Sequence, residues 1–174
     1  MLCRPDHLAA VVAAYITRRG GNPLARAPFQ VLVFPYSVRD DGEIAYAVLR
    51  RRDEAMTWQA VAGGGEDEES PMEAAKREAW EETGIEPSRP YLELASTASI
   101  PVIHFAELRD REDLFVIPEY CFAVEVAEGN LQISGEHVEY SWLPYSEAHA
   151  VLRWDSNKTA LWELNRRLEL SRSR

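Results

Sequence analysis

The chain has 174 residues, 46% of them apolar, enough to close one sizeable core and too few to argue for two full domains. Its 29 acidic against 19 basic residues leave a formal charge of −10, which repels the phosphate backbone of long nucleic acids, and no basic block offsets it. A small anionic substrate is still compatible with that charge, because divalent cations held by carboxylates invert the local field.

Residues 1–24 read as an N-terminal extension. Leu8, Val11, Val12, Tyr15 and Ile16 fall close to helical spacing before the break at Gly20–Gly21–Asn22–Pro23, so an amphipathic helix is expected there. The apolar stretch from Leu8 to Ile16 is too short to span a bilayer, and Asp6 interrupts what would be a basic leader, so a cytoplasmic protein without membrane contact is expected. Cys3 and Cys121 are the only cysteines; no disulfide framework follows, and Cys121, inside an apolar run, reads as a buried thiol.

Residues 25–174 read as a single domain. Phe29 to Tyr36 and Ile44 to Arg52 are rich in strand formers and flank Asp40–Asp41–Gly42, which predicts a hairpin. A short strand, Trp58 to Ala62, runs into three glycines. Ser70, Pro71 and Glu73 stand at N-cap, first-turn and capping-box positions, and Gly84 with Pro87 supplies a stop, predicting a helix over 71–83. Strands follow at Tyr91 to Ser99, Glu119 to Val126 and Val138 to Leu143, then helices at Tyr145 to Leu152 and Lys158 to Leu168. The segment from Ile100 to Pro118 reads as a long loop. The order fits an α/β fold, an α+β sandwich in outline.

On the helix over 71–83, Glu78, Glu81 and Glu82 share an arc of roughly 100°, beside an apolar stripe of Met72, Ala75 and Ala79. Like charges so spaced disfavour the isolated helix, and a hard divalent cation would compensate them. The plain alternative is a solvated acidic face, with Glu73 and Arg77 in the favourable i,i+4 order. The glycine run before the helix would let phosphate approach the backbone and let the chain turn sharply.

Gly63, five residues, Glu69, seven residues, then Arg77–Glu78–Ala79–Trp80–Glu81–Glu82–Thr83–Gly84–Ile85 resembles a complete Nudix box of 23 residues. The resemblance implies the Nudix fold, a mixed sheet between helices with the box as loop–helix–loop. It implies Glu78, Glu81 and Glu82 as ligands to Mg²⁺ or Mn²⁺, Glu81 and Arg77 in catalytic roles, and Glu69 and Gly84 as structural support. The reaction it implies is metal-dependent hydrolysis of a phosphoanhydride bond, with water attacking phosphorus and no covalent intermediate. His104, His137 and His149 lack the spacing of a zinc site and read as surface or packing residues.

Outside the box, Arg51–Arg52–Asp53 with Trp58–Gln59–Ala60–Val61, Glu136 to Leu143, and Trp154–Asp155–Ser156–Asn157 are similar to the dihydroneopterin triphosphate and dATP pyrophosphohydrolase branch. Ala62 stands where many Nudix proteins carry proline, and the pair Gly64–Gly65 departs from that branch. The implied partner is a nucleotide or a pterin triphosphate, cleaved with release of pyrophosphate. Gly63, Gly64, Arg51, Arg52 and Trp58 are candidate substrate contacts, with one of the two arginines facing inward. Glu119 resembles the extra-box glutamate that serves as base or additional ligand, and Glu136 competes for that role. The alternatives are an ADP-ribose or nucleotide-sugar pyrophosphatase and a non-catalytic nucleotide sensor. Trp80 or the N-terminal helix could serve a homodimer or pack within one chain.

Overall fold

The computed structural model describes residues 25–54, 56–129 and 131–172. The helix expected in the N-terminal extension and Cys3 lie outside the described residues. The elements are β1 (Arg26–Val38), β2 (Ile44–Arg51), β3 (Trp58–Gln59), β4 (Val61–Glu66), α1 (Pro71–Thr83), β5 (Tyr91–Pro101), β6 (Val116–Glu125), β7 (His137–Pro144), α2 (Tyr145–Val151) and α3 (Asp155–Arg172). No described helix is long and apolar enough to cross a membrane.

β1 organises a mixed sheet. It runs parallel to β6 from Gln30↔Glu119 to Tyr36↔Glu125, antiparallel to β4 along its first half, and antiparallel to β2 at its end. β7 and β3 add to β2, and β5 adds to β6. Alternation along β1 sends Val31 and Val33 into a core with Ala74, Ala75 and Ala79 of α1. Leu32 and Phe34 point the other way, into a core with Ala148 of α2 and Ala160, Leu161 and Leu164 of α3. Burial on both faces explains the unbroken apolar run in β1. The mixed sheet between helices is the fold expected.

α3 starts at Asp155, three residues earlier than its periodicity suggested, because its first turn is polar and used for anchoring. Asn157 is buried and accepts the backbone N–H of Ala60 at 3.0 Å. Tyr46 donates to Asn165 at 2.9 Å. A register shift in β5 between Glu93 and Thr97 leaves N–H groups for α3 to satisfy, and Ala95 and Ser96 each donate to Glu163 at 2.7 Å. β6 begins at Val116, earlier than expected. Pro118 is tolerated there because the pairing with β1 opens only at Glu119, so its missing N–H costs no central ladder bond. The segment 102–115 is thereby shortened, and it is held by a small cluster of Val102, Leu108 and Ile117.

α1 is bounded as the sequence predicts. The Ser70 side chain accepts the N–H of Glu73 at 3.3 Å, and the Glu73 carboxylate accepts the Ser70 N–H at 2.9 Å, with Pro71 opening the helix. Gly84 closes it at φ 72°, the left-handed region, donating to the Trp80 carbonyl at 2.9 Å. The face α1 buries is mainly alanine, which keeps the helix close to β4 but removes little apolar area from water. End caps therefore carry a large share of its local stability. Ser70→Ala is expected to cost about 1 kcal/mol and to lower Tm by about 2–4 °C in a thermal melt.

Candidate active site

The side chain of Arg77 is only 9% exposed and stands at the centre of the site. Nε donates to Glu69 at 3.0 Å, Nη1 to Glu78 at 2.8 Å and to Glu81 at 3.0 Å, and Nη2 to Glu69 at 2.9 Å and to the Gly64 carbonyl at 2.7 Å. Glu66 lies 3.8 Å away. Burial by itself would lower the guanidinium pKa, but Glu69 and Glu78 outweigh it and hold the group charged. Glu73, the expected i,i+4 partner, is spent on the capping box, so Arg77 turns to the loop carboxylate Glu69. Glu69 also accepts the N–H of Glu66 at 3.0 Å, tying the acidic loop to the start of the helix.

The three glycines lie inside β4, where the sequence suggested a turn, and each provides space for one side chain. A Cβ on Gly63 would overlap the Glu78 carboxylate, one on Gly64 the Arg26 guanidinium, and one on Gly65 the Phe29 ring. Alternation puts Gly63, paired with Val31, on the α1 face and Gly64, paired with Gln30, on the α3 face. Resting on the strand, Glu78 is largely desolvated, and burial raises its pKa to about 7; Arg77 opposes the rise, while Glu82 and Glu81 add to it.

Glu82 is 4% exposed and faces His137, 3% exposed, with Nε2 and Oε2 3.0 Å apart. Burial pushes its carboxyl upward, against His137 and the backbone N–H of Ala62, and the nearby Glu136 pushes the same way. The segment leading to His137 closes the end of α1: Gln132 donates to the Thr83 carbonyl and Ser134 to the Glu82 carbonyl, both at 3.0 Å. Arg52, just after β2, secures it by donating to the carbonyls of Gly135 at 2.6 Å and His137 at 3.3 Å. Arg51 instead forms an ion pair with Asp53. Trp58 is half-buried against the α2 and α3 core, its chain bridged to Leu152.

The two extra-box acids separate. Glu136 lies on the segment beside Glu82. Glu119, in step with Cys121 and Ala123 on β6, occupies the α3 face and is 3% exposed. Burial pushes its carboxyl upward, opposed by a hydrogen bond from Ser156. Among the described residues, no three His, Cys, Asp or Glu side chains converge to hold a metal, because Glu78 and Glu81 are paired with Arg77 and Glu82 with His137. The donor set nevertheless suits a hard divalent cation: three carboxylates lie on one helix face, two are buried enough to disfavour their charge, and a bare glycine lies under one. His137 and Arg26 carried no warning in the sequence beyond a place in a branch-like stretch for the first and none for the second.

The model of the NUDIX domain matches residues 29–162. A NUDIX hydrolase structure from Listeria monocytogenes is 45% identical, with a TM-score of 0.75, covering 83% of this chain and 97% of that one. The dihydroneopterin triphosphate diphosphatase of Escherichia coli K12 is 30% identical over 78% of this chain and 91% of its own length. An RNA pyrophosphohydrolase of Roseobacter denitrificans is 28% identical over 71% and 82%. With Glu69, Glu78 and Glu81 of the box gathered on Arg77 and the fold shared, the chain belongs to the NUDIX domain family and is a Nudix pyrophosphohydrolase.

Proposed function

We propose that residues 25–174 act as one catalytic domain that hydrolyses a phosphoanhydride bond in a small nucleoside-triphosphate-like molecule with Mg²⁺ or Mn²⁺, releasing pyrophosphate. The observation that carries the reading is the cluster of Glu69, Glu78 and Glu81 on the buried Arg77, with Glu78 resting on Gly63. Dihydroneopterin triphosphate and the (deoxy)nucleoside triphosphates are the substrates favoured, the first through the name of the Escherichia coli relative. A charge of −10 weighs against the RNA 5′ end suggested by the Roseobacter relative.

Glu78, Glu81 and Glu82 would hold the cation. When bound, it supplies charge neutralisation on the phosphate oxygens and on the leaving group. The chain's own groups do the rest. Arg77 fixes the direction of Glu78 and Glu81 from one side, and His137 fixes Glu82 from the other. The side chain of Glu81 is 52% exposed, so its carboxylate is open to take a proton from the attacking water. The water oxygen bonds to phosphorus, the anhydride P–O bond breaks, and its electron pair leaves on pyrophosphate.

Product analysis with Mg²⁺ over dihydroneopterin triphosphate, the nucleoside triphosphates, ADP-ribose, nucleotide sugars and a 5′-triphosphorylated RNA, each with a chelator control, is expected to show chelator-sensitive pyrophosphate release from one of the small triphosphates. Binding without turnover would favour a sensor. Glu81→Gln and Glu82→Gln are each expected to lower kcat on the order of 100-fold or more with the fold retained, because several kcal/mol of transition-state stabilisation passes through the cation they hold. Gly63→Ala is expected to fold but to melt below the wild type, since the new methyl overlaps the Glu78 carboxylate that Arg77 holds, and to lose on the order of 100-fold in kcat by displacing that carboxylate.

A further inference from the structure

Four buried side-chain atoms lack a hydrogen-bond partner among the described residues: Arg26 Nε, Tyr91 Oη, Glu119 Oε1 and His137 Nδ1. Two of them, on Arg26 and Glu119, belong to one row on the sheet face turned towards α3. Gln30 is in register with Gly64 on β4 and with Glu119 on β6, so the three positions cross adjacent strands side by side. The Arg26 guanidinium covers Gly64, donates to the Gln30 side chain at 2.7 Å and stacks 4.5 Å from the centre of the Phe105 ring. Glu119, 3% exposed, takes one hydrogen bond from Ser156 at the start of α3 and leaves its other oxygen unmet.

The row therefore has an unmet donor at one end and an unmet acceptor at the other, about two strand spacings or roughly 10 Å apart. A buried polar group without a partner is costly, and a ligand presenting an anion and a hydrogen-bond donor at that separation would satisfy both. The Arg26 end is also the end nearest the box: its guanidinium interacts electrostatically with Glu78 and Arg77, and Arg77 itself binds the Gly64 carbonyl at 2.7 Å. Glu119 is remote from the α1 face, where Glu78 sits on Gly63.

We propose that Arg26 and Glu119 are specificity residues for the substrate, Arg26 at the end of the row nearest the box and Glu119 at the far end. Arg26 Nε–H donates to an oxygen of the phosphate chain, and Glu119 Oε1 accepts the exocyclic amine of an amino-substituted heterocycle such as adenine, guanine or a pterin. The inference rests on the phosphoanhydride reading and narrows its substrate class.

The test compares substrates that differ only in that amine: GTP against ITP, and ATP against purine riboside triphosphate. Each is read as kcat/KM with Mg²⁺ and, independently, as the Tm shift on ligand binding in chelator, with Mn²⁺ affinity measured by titration. The wild type is expected to favour the amine-bearing member of one pair by on the order of tenfold or more. Glu119→Leu should bring that ratio close to one, Glu119→Gln, which keeps a neutral acceptor, should recover part of it, and both should bind Mn²⁺ as the wild type does. Arg26→Gln should raise KM for all four substrates on the order of tenfold and leave the ratio alone.

An unchanged ratio in both Glu119 variants overturns the inference, as does loss of Mn²⁺ binding, which would make Glu119 a metal ligand. Turnover without any amine preference sinks the inference and leaves the phosphoanhydride reading standing. An amine preference that appears in binding alone, with no turnover, does the reverse. Neither binding nor turnover rejects both.

Discussion

The site depends on one buried cation. Glu78, Glu81 and Glu82 repel one another on a single face of α1, and Glu78 and Glu82 are also stripped of water. Arg77 makes that arrangement tolerable, because its planar fork reaches Glu69, Glu78 and Glu81 at once and still has a donor for the Gly64 carbonyl. A lysine, with a single point of charge, could not bridge the acidic loop, the helix and β4 together. The alanine face of α1 and the missing Cβ of Gly63 serve the same end, bringing the helix near enough for Glu78 to lie on the strand.

β4 links this chemistry to the other side of the sheet. Gly63 and Gly64 are consecutive, so one serves Glu78 on the α1 face and the next serves Arg26 on the α3 face. The last strand closes the arrangement from below. The segment 132–137 satisfies the final carbonyls of α1, and His137, at the start of β7, meets Glu82 in the interior. Arg52, one of the two arginines offered as substrate contacts, holds that segment in place through its main-chain carbonyls.

α1 was legible to the residue because its signals are local: Ser70, Pro71, Glu73 and Gly84 act within one turn of their own positions. β1 and β2 were legible from their apolar content, and the box from its spacing. The glycine run misled because glycine marks a turn in most contexts, whereas here it lies in a strand crowded by Glu78, Arg26 and Phe29, all distant in sequence. The start of α3 was hidden because Asp155, Ser156 and Asn157 look like a loop until Asn157 is seen bonded to Ala60. Where Glu119 and Glu136 lie was not legible in the chain alone, since it turns on which face of the sheet β6 presents at Glu119 and on where the segment before β7 docks.

Glu78, Glu81 and Glu82, aligned by Arg77 and His137, are the proposed divalent cation site of this hydrolase. A crystal structure of the full chain grown with Mn²⁺, with the anomalous signal used to locate the ion, tests it most directly. The expected result is a peak bounded by those three carboxylates on the Gly63 side of α1. A peak held by other residues, or a well-ordered box with its Arg77 and His137 pairs intact and no peak at saturating Mn²⁺, would contradict it.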